Sequence, residues 1–324
     1  MRAKALLGCG KVIGGAGAKF VAAKEKQLQG CLGLVLQCVQ LKPTDPGCLP
    51  KVQNKCAAAK IKIGTLETKL TAAIAKKCDG VPVADLTNEA GLGYDAQADD
   101  CATRGVATLA FPADVGLCVM HQHECRSEEL VYHENARARE LIQLGGLSLV
   151  DFPCLDDGGP VPGGGLDDAG HAKAAVKCQK ALDKAGASFA QRRQKAIHKC
   201  ADGVLACVQL KPTDAACLLK ARARCAKLAA VLGPATAPKS LAGKLRGTIV
   251  KACVGLVGTD LTAANGLGQS ARAARCQEIG VASLAAATDV ADCLVAFHTC
   301  RVDALLDTQS PRVTELLEAG GLAH

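Results

Sequence analysis

The sequence predicts an all-α protein, two tandem copies of a disulfide-stapled helical-hairpin and bundle module. Three observations carry that expectation. Long proline-free stretches follow a helical period, nineteen cysteines sit at helical intervals, and one eight-residue string occurs twice. Cys38 to Asp45 reads CVQLKPTD, and so does Cys207 to Asp214. The offset of 169 also pairs Cys9, Phe20, Cys31, Cys48 and Cys56 with Cys178, Phe189, Cys200, Cys217 and Cys225. Six extra residues near Gly233–Pro238 raise the offset to 175, which matches Cys78, Cys101, Cys118 and Cys125 to Cys253, Cys276, Cys293 and Cys300. Cys154 is left over, in a Gly/Pro/Asp-rich stretch that resists regular structure. The expected organisation is copy 1 over 1–150, a linker over 151–170 and copy 2 over 171–324.

The long helices come first. Ala172 to Leu210 contains no proline. At about 100° per residue, Cys178, Cys200 and Cys207 fall within a stripe of about 40°. Lys173, Lys177, Lys180, Lys184 and Lys195 fall on the opposite side, so the helix is amphipathic with a cysteine seam. Lys211-Pro212-Thr213-Asp214 ends it, because proline cannot continue a helix and Thr or Asp can cap the next. Ala215 to Ala230 is the second helix, and Lys42-Pro43-Thr44-Asp45 is the corresponding break in the first half. Further helices are expected at about 65–77, 98–109 and 114–144. A loop follows the first of these, Asp85-Leu-Thr…Gly91-Leu-Gly93, repeated as Asp260-Leu-Thr…Gly266-Leu-Gly268.

The cysteines are expected to be cross-links. Zinc sites favour tight pairs such as CxxC, and none occurs. A disulfide framework implies an oxidising compartment, extracellular or periplasmic. It also offsets a core with only five Phe, two Tyr and no Trp. Helices joined by a short turn lie antiparallel, and Cys38 and Cys48 are about equally far from the turn, as are Cys31 and Cys56. Nested bridges Cys38–Cys48 and Cys31–Cys56 suit disulfide geometry, with Cys207–Cys217 and Cys200–Cys225 in the second half. Cys9 is placed with Cys78 and Cys101 with Cys125, hence Cys178 with Cys253 and Cys276 with Cys300. Cys118, Cys293 and Cys154 are then the possible free thiols.

Two resemblances follow from these residues. The paired cysteines resemble the twin-cysteine helical hairpin of CHCH proteins, although the intervals depart from CX9C, and no function is carried over. The cysteine-to-KP turn and the segment Gly105-Val-Ala-Thr-Leu…Cys118…His123-Glu-Cys125 resemble a group of cysteine-rich, all-helical, tandem-repeat secreted bacterial proteins with no established activity. That resemblance implies architecture and secretion. The start of the chain carries no clear signal peptide, and Leu6-Leu7-Gly8-Cys9 only loosely matches a lipoprotein cleavage site. No stretch is expected to span a membrane.

No catalytic, cofactor or metal constellation is expected. His123-Glu-Cys125 and His298-Thr-Cys300 place His and Cys about 200° apart on a helix, which suits packing histidines better than one ion. His121 and His133 have no counterparts in the second half. The early glycines lack the GxxxxGK[ST] order of a phosphate loop. The recurring carboxylates Asp85/Asp260, Asp114/Asp289 and Glu140/Glu315 read as caps or solvated groups rather than acid–base pairs. Charge is uneven: copy 1 is +3, the linker −5 and copy 2 +10. An anionic polymer or surface is therefore a conceivable partner for Lys173, Lys177, Lys180, Lys184 and Lys195. Sequence-specific nucleic-acid binding is not expected, since aromatic platforms and known motifs are missing. The functional expectation is a non-enzymatic secreted binding or structural module. The alternatives are a carrier of an apolar ligand between helices and a thiol or metal redox protein.

Overall fold

Two helices of unusual length set the frame: α1 (Arg2–Leu41, 40 residues) and α7 (Ala169–Leu210, 42 residues). The computed structural model describes residues 2–155 and 163–322, so residues 156–162 of the expected linker lie outside the described residues. At 1.5 Å per residue each long helix extends about 60 Å. Between and after them come α2 (Cys48–Cys78), α3 (Val83–Thr87), α4 (Ala98–Thr103), α5 (Pro112–Glu134), α6 (Ala138–Leu144), α8 (Ala215–Leu232), α9 (Leu241–Ala252), α10 (Gly258–Thr262), α11 (Ala273–Glu278), α12 (Ala287–Gln309) and α13 (Val313–Ala319). No strand occurs among the described residues.

Helix starts follow capping chemistry. The Asp168 carboxylate accepts from the His171 backbone N–H, Asp214 from Cys217, and the Ser240 hydroxyl from Gly243. Asp114 reaches back to accept from the Phe111 N–H at 2.8 Å, one residue before Pro112 opens α5. The six extra residues near Gly233–Pro238 separate α8 from α9, whereas α2 runs unbroken over the corresponding span. Two expected helices are shorter than the sequence suggests. The one expected over 98–109 stops at Thr103, where Gly105 takes a φ of 86°. The one expected over 114–144 breaks at Asn135, whose side chain accepts from the Arg137 N–H and starts a second helix.

The frame helices run antiparallel. Gly14 faces the ring of His198, and the Gln29 amide donates to the Asp183 carbonyl at 3.1 Å, so their residue numbers run in opposite senses. Helices α2, α5 and α6 pack on α1, while α8, α9, α12 and α13 pack on α7, and α5 meets α12. One apolar cluster draws on both halves of the chain, with Ile13, Phe20, Leu70 and Val119 beside Ile197, Val204, Leu305 and Leu316.

Nine disulfides join eighteen of the nineteen cysteines. They are Cys9–Cys78, Cys31–Cys56, Cys38–Cys48, Cys101–Cys118, Cys125–Cys154, Cys178–Cys253, Cys200–Cys225, Cys207–Cys217 and Cys276–Cys293. Disulfides in this number are consistent with an oxidising compartment. Two expected pairings need correction. Cys101 bonds to Cys118, not Cys125, and Cys276 to Cys293, not Cys300. The short α4 returns to the start of α5, level with Cys118, and Cys125 lies about 10 Å further along the helix. Cys125 instead meets Cys154. Cys118, Cys293 and Cys154 are therefore all bonded, and the exposed Cys300 is the free thiol.

One helix bears on the membrane expectation. Helix α1 is long and apolar enough to cross a membrane by length and composition, with a mean hydropathy of 1.3 over its most apolar 18-residue window. In the fold it packs against α2, α5 and α7, and 44% of that window is buried.

Candidate binding clefts and the polar seam

Helices α1 and α2 line a cleft of about 470 Å³. Phe20 and Leu70, both 3% exposed, form its floor, and Leu66 forms part of a wall. Gly15 and Ala16 leave space where larger side chains would fill it, and Lys11, Lys19 and Lys69 stand around the opening. Helices α7 and α9 frame a second cleft of about 420 Å³. Phe189, Leu241 and Leu245 make its apolar surface, with Lys184, Arg192 and Lys244 around it. Neither cleft is lined by an acidic residue. Both volumes fall in the range of about 300–1,000 Å³ usual for small-molecule sites.

The lysines singled out from sequence, Lys173, Lys177, Lys180, Lys184 and Lys195, are all exposed on α7. Lys180 and Lys184 also border a groove of about 720 Å³ between α1 and α7, opposite Lys19 and Lys26. Asp183 and Gln29 lie in the floor of that groove.

Beneath the groove lies a buried polar seam where the halves of the chain meet. His298 Nε2 is 3.0 Å from Glu134 Oε1, and both side chains are fully buried. The Gln29 amide donates to the other oxygen of Glu134, and Gln179 donates to Asp183 at 2.6 Å. Glu25 is 1% exposed, and neither of its carboxyl oxygens has a hydrogen-bond partner among the described residues. Burial raises the Glu25 carboxyl to about 8 and Asp183 to about 7. Burial, with Glu25 and Asp183 nearby, holds Glu134 well above the ordinary carboxyl range. Burial also lowers His298 to about 3, with Arg272 adding to the effect. Burial thus disfavours the charged form of both partners in the Glu134–His298 contact.

At the other end of the seam amides replace the acids. The Gln309 amide donates to His123 Nε2 at 2.7 Å and to the Gln194 oxygen at 3.2 Å, and its own oxygen meets His198. The helices approach closely here: a Cβ at Gly17 would lie 2.6 Å from the His123 ring, and one at Gly186 would lie 2.3 Å from Glu134.

Two arginines clasp the repeated loops. Arg137 donates to the Gly266 carbonyl at 2.9 Å and to Asn265 at 3.2 Å, and it pairs with both oxygens of Glu140. Arg312 donates to Gly91 at 2.9 Å and to Ala90 at 3.2 Å, and it pairs with both oxygens of Glu315. The loop sequence explains itself at this point. A Cβ at Gly91 or Gly266 would fall within about 2 Å of a backbone oxygen, and Gly93 and Gly268 hold positive φ beneath the arginine stems.

The other sequence candidates have structural roles. Asp260 accepts from the Val257 N–H at 3.0 Å, Asp85 pairs with Arg2, and Asp289 lies in the first turn of α12. His121 lies 3.3 Å from Glu124, and His133 stacks on Phe297 with ring centres 4.0 Å apart. Among the described residues no group of three or more His, Cys, Asp or Glu is placed to hold a metal ion. Sequence reasoning missed Glu25, Glu134, Asp183 and the two clasping arginines. Glu25 and Asp183 had a signal: each is an acid on the inward face of an otherwise lysine-studded helix.

No protein-family model, curated protein or solved structure matches the chain.

Proposed function

We propose that this protein is a secreted, non-enzymatic binding module of two tandem copies, working in the extracellular space or periplasm, with one small-molecule cleft per copy. The carrying observation is the correspondence of the clefts. Phe20, Leu66, Leu70 and Lys69 recur at the repeat offsets as Phe189, Leu241, Leu245 and Lys244. The reciprocal clasps support the two-copy reading, since Arg137 and Arg312, and the loops they hold, are related by the same offset. Nine cross-links fit a scaffold that holds its shape outside the cell. Open clefts favour the apolar-ligand alternative over a purely structural role. The thiol-redox alternative loses its three named sulfurs, which are all bridged.

The test is titration with a neutral apolar fluorophore, N-phenyl-1-naphthylamine. Two saturable sites per chain are expected. Ala73→Leu should remove one and Thr248→Leu the other, because these residues line the clefts at matching positions. Unsaturable uptake, or full binding by the double variant, would refute the cleft reading. A second reading, docking of an anionic polymer, is favoured by the exposed lysines of α7 and the groove beside Lys180 and Lys184. It expects retention on heparin that Lys177→Ala/Lys180→Ala/Lys184→Ala weakens more than retention on a plain sulfonate resin.

A further inference from the structure

Each cleft has an apolar floor and a rim of one charge sign. Phe20 and Leu70 at one site, and Phe189 and Leu245 at the other, offer a dry contact surface. Three cations border each opening: Lys11, Lys19 and Lys69 at the first, Lys184, Arg192 and Lys244 at the second. No acid is among the lining residues, although Asp202, just outside the first cleft, interacts with Lys11. Lysine stems lie along apolar walls while their ammonium groups reach water. The three charges at one mouth therefore act together on a headgroup held there, within a Debye length of about 8 Å at physiological salt.

We propose that the ligand is a single-chain anionic amphiphile, an alkyl carboxylate in type. Its tail would lie on the phenylalanine and its head among the basic side chains, one molecule per cleft. This rests on the cleft reading above and adds the chemical class. Three features argue for it. A neutral apolar ligand would make no use of the cationic rim. A cationic amphiphile would meet three like charges. A purely polar anion would leave the aromatic floor uncovered. Clefts of about 470 and 420 Å³ accommodate a small molecule rather than a folded domain. Contact with the tail also sets a length dependence, each buried methylene removed weakening binding about three- to fourfold.

The experiment is calorimetric titration of the full chain, all bridges intact, with monomeric decanoate, decyltrimethylammonium and octyl glucoside below their micelle thresholds. Decanoate is expected to bind two per chain, at least tenfold tighter than the other two probes, and more weakly as salt rises. Lys69→Glu with Lys244→Glu, both at exposed positions, should weaken decanoate at least tenfold and favour the cationic probe. Equal affinity for all three probes would overturn the anionic assignment while leaving the clefts as binding sites. Unchanged decanoate binding by the double variant would also overturn it. No saturable binding of any probe would remove the cleft reading as well. Binding to anionic phospholipid vesicles without binding of monomeric decanoate would replace the soluble amphiphile with a membrane surface.

Discussion

Arg137 shows how much a single side chain decides in this molecule. It is 1% exposed, holds two carbonyls from a loop 128 and 129 residues away, and neutralises Glu140. Breaking a buried ion pair leaves an unpaired charge, at a cost of about 3–5 kcal/mol. Arg137→Ala should therefore lower the stability measured by guanidinium denaturation by that order. The corresponding Arg312→Ala should cost less, because Glu315 is 61% exposed. Equal losses would mean that the clasp, rather than desolvation of the carboxylate, sets the energy. A second expectation at this scale concerns sulfur. Cys300 is exposed and unbridged, so alkylation of the unreduced protein should add one group, at Cys300. Intact mass checks it, and two or more adducts would mean that a bridge is open.

At the scale of elements, the bridges differ in the length of chain they close. Cys9–Cys78 spans a separation of 69 residues and Cys38–Cys48 only 10. In the chain-entropy view, removing the first should cost about 4 kcal/mol and removing the second about 3. Cys9→Ala/Cys78→Ala should accordingly melt below Cys38→Ala/Cys48→Ala. The reverse order would show that local contacts at the Lys42–Asp45 turn outweigh loop closure. The clefts also belong to this scale, since each is lined by two helices, α1 with α2 and α7 with α9.

For the whole molecule, the buried seam makes stability depend on pH in two opposite ways. Glu25, Asp183 and Glu134 have folded pKa values raised above their unfolded ones. Their contribution is complete below about 4 and is lost as pH rises, through about 7–8 for Asp183 and Glu25. His123 and His298, lowered to about 3, and His133 and His198, also lowered by burial, act the other way. Their contribution is complete above about 6.5 and is lost as pH falls toward 3. Between about 4.5 and 6.5 the two slopes oppose each other, so stability should change least there and fall on both sides. Denaturation curves at pH 3.5, 5.5, 7 and 8.5 check this. Glu25→Gln should flatten the alkaline limb and leave the acid limb intact. An unchanged alkaline limb would mean that this carboxyl is not held protonated in the folded chain.

The all-helical class, the two long helices, their breaks at Lys-Pro-Thr-Asp and the cross-links of each hairpin were legible in the amino-acid order. The reason is that helical period, capping and distance from a turn are properties of neighbouring residues. The Gly-Leu-Gly loops were visible as a repeated pattern, but not as the targets of Arg137 and Arg312. Tertiary structure alone decided that Cys101 meets Cys118, that Cys125 meets Cys154, and that Cys300 stays free. It also decided that Glu25, Asp183 and Glu134 share one dry seam with His298, and that Phe20 and Phe189 floor open clefts. Those outcomes depend on which faces of helices more than a hundred residues apart come into contact. That choice is made by the packing of the whole chain, and no local interval encodes it.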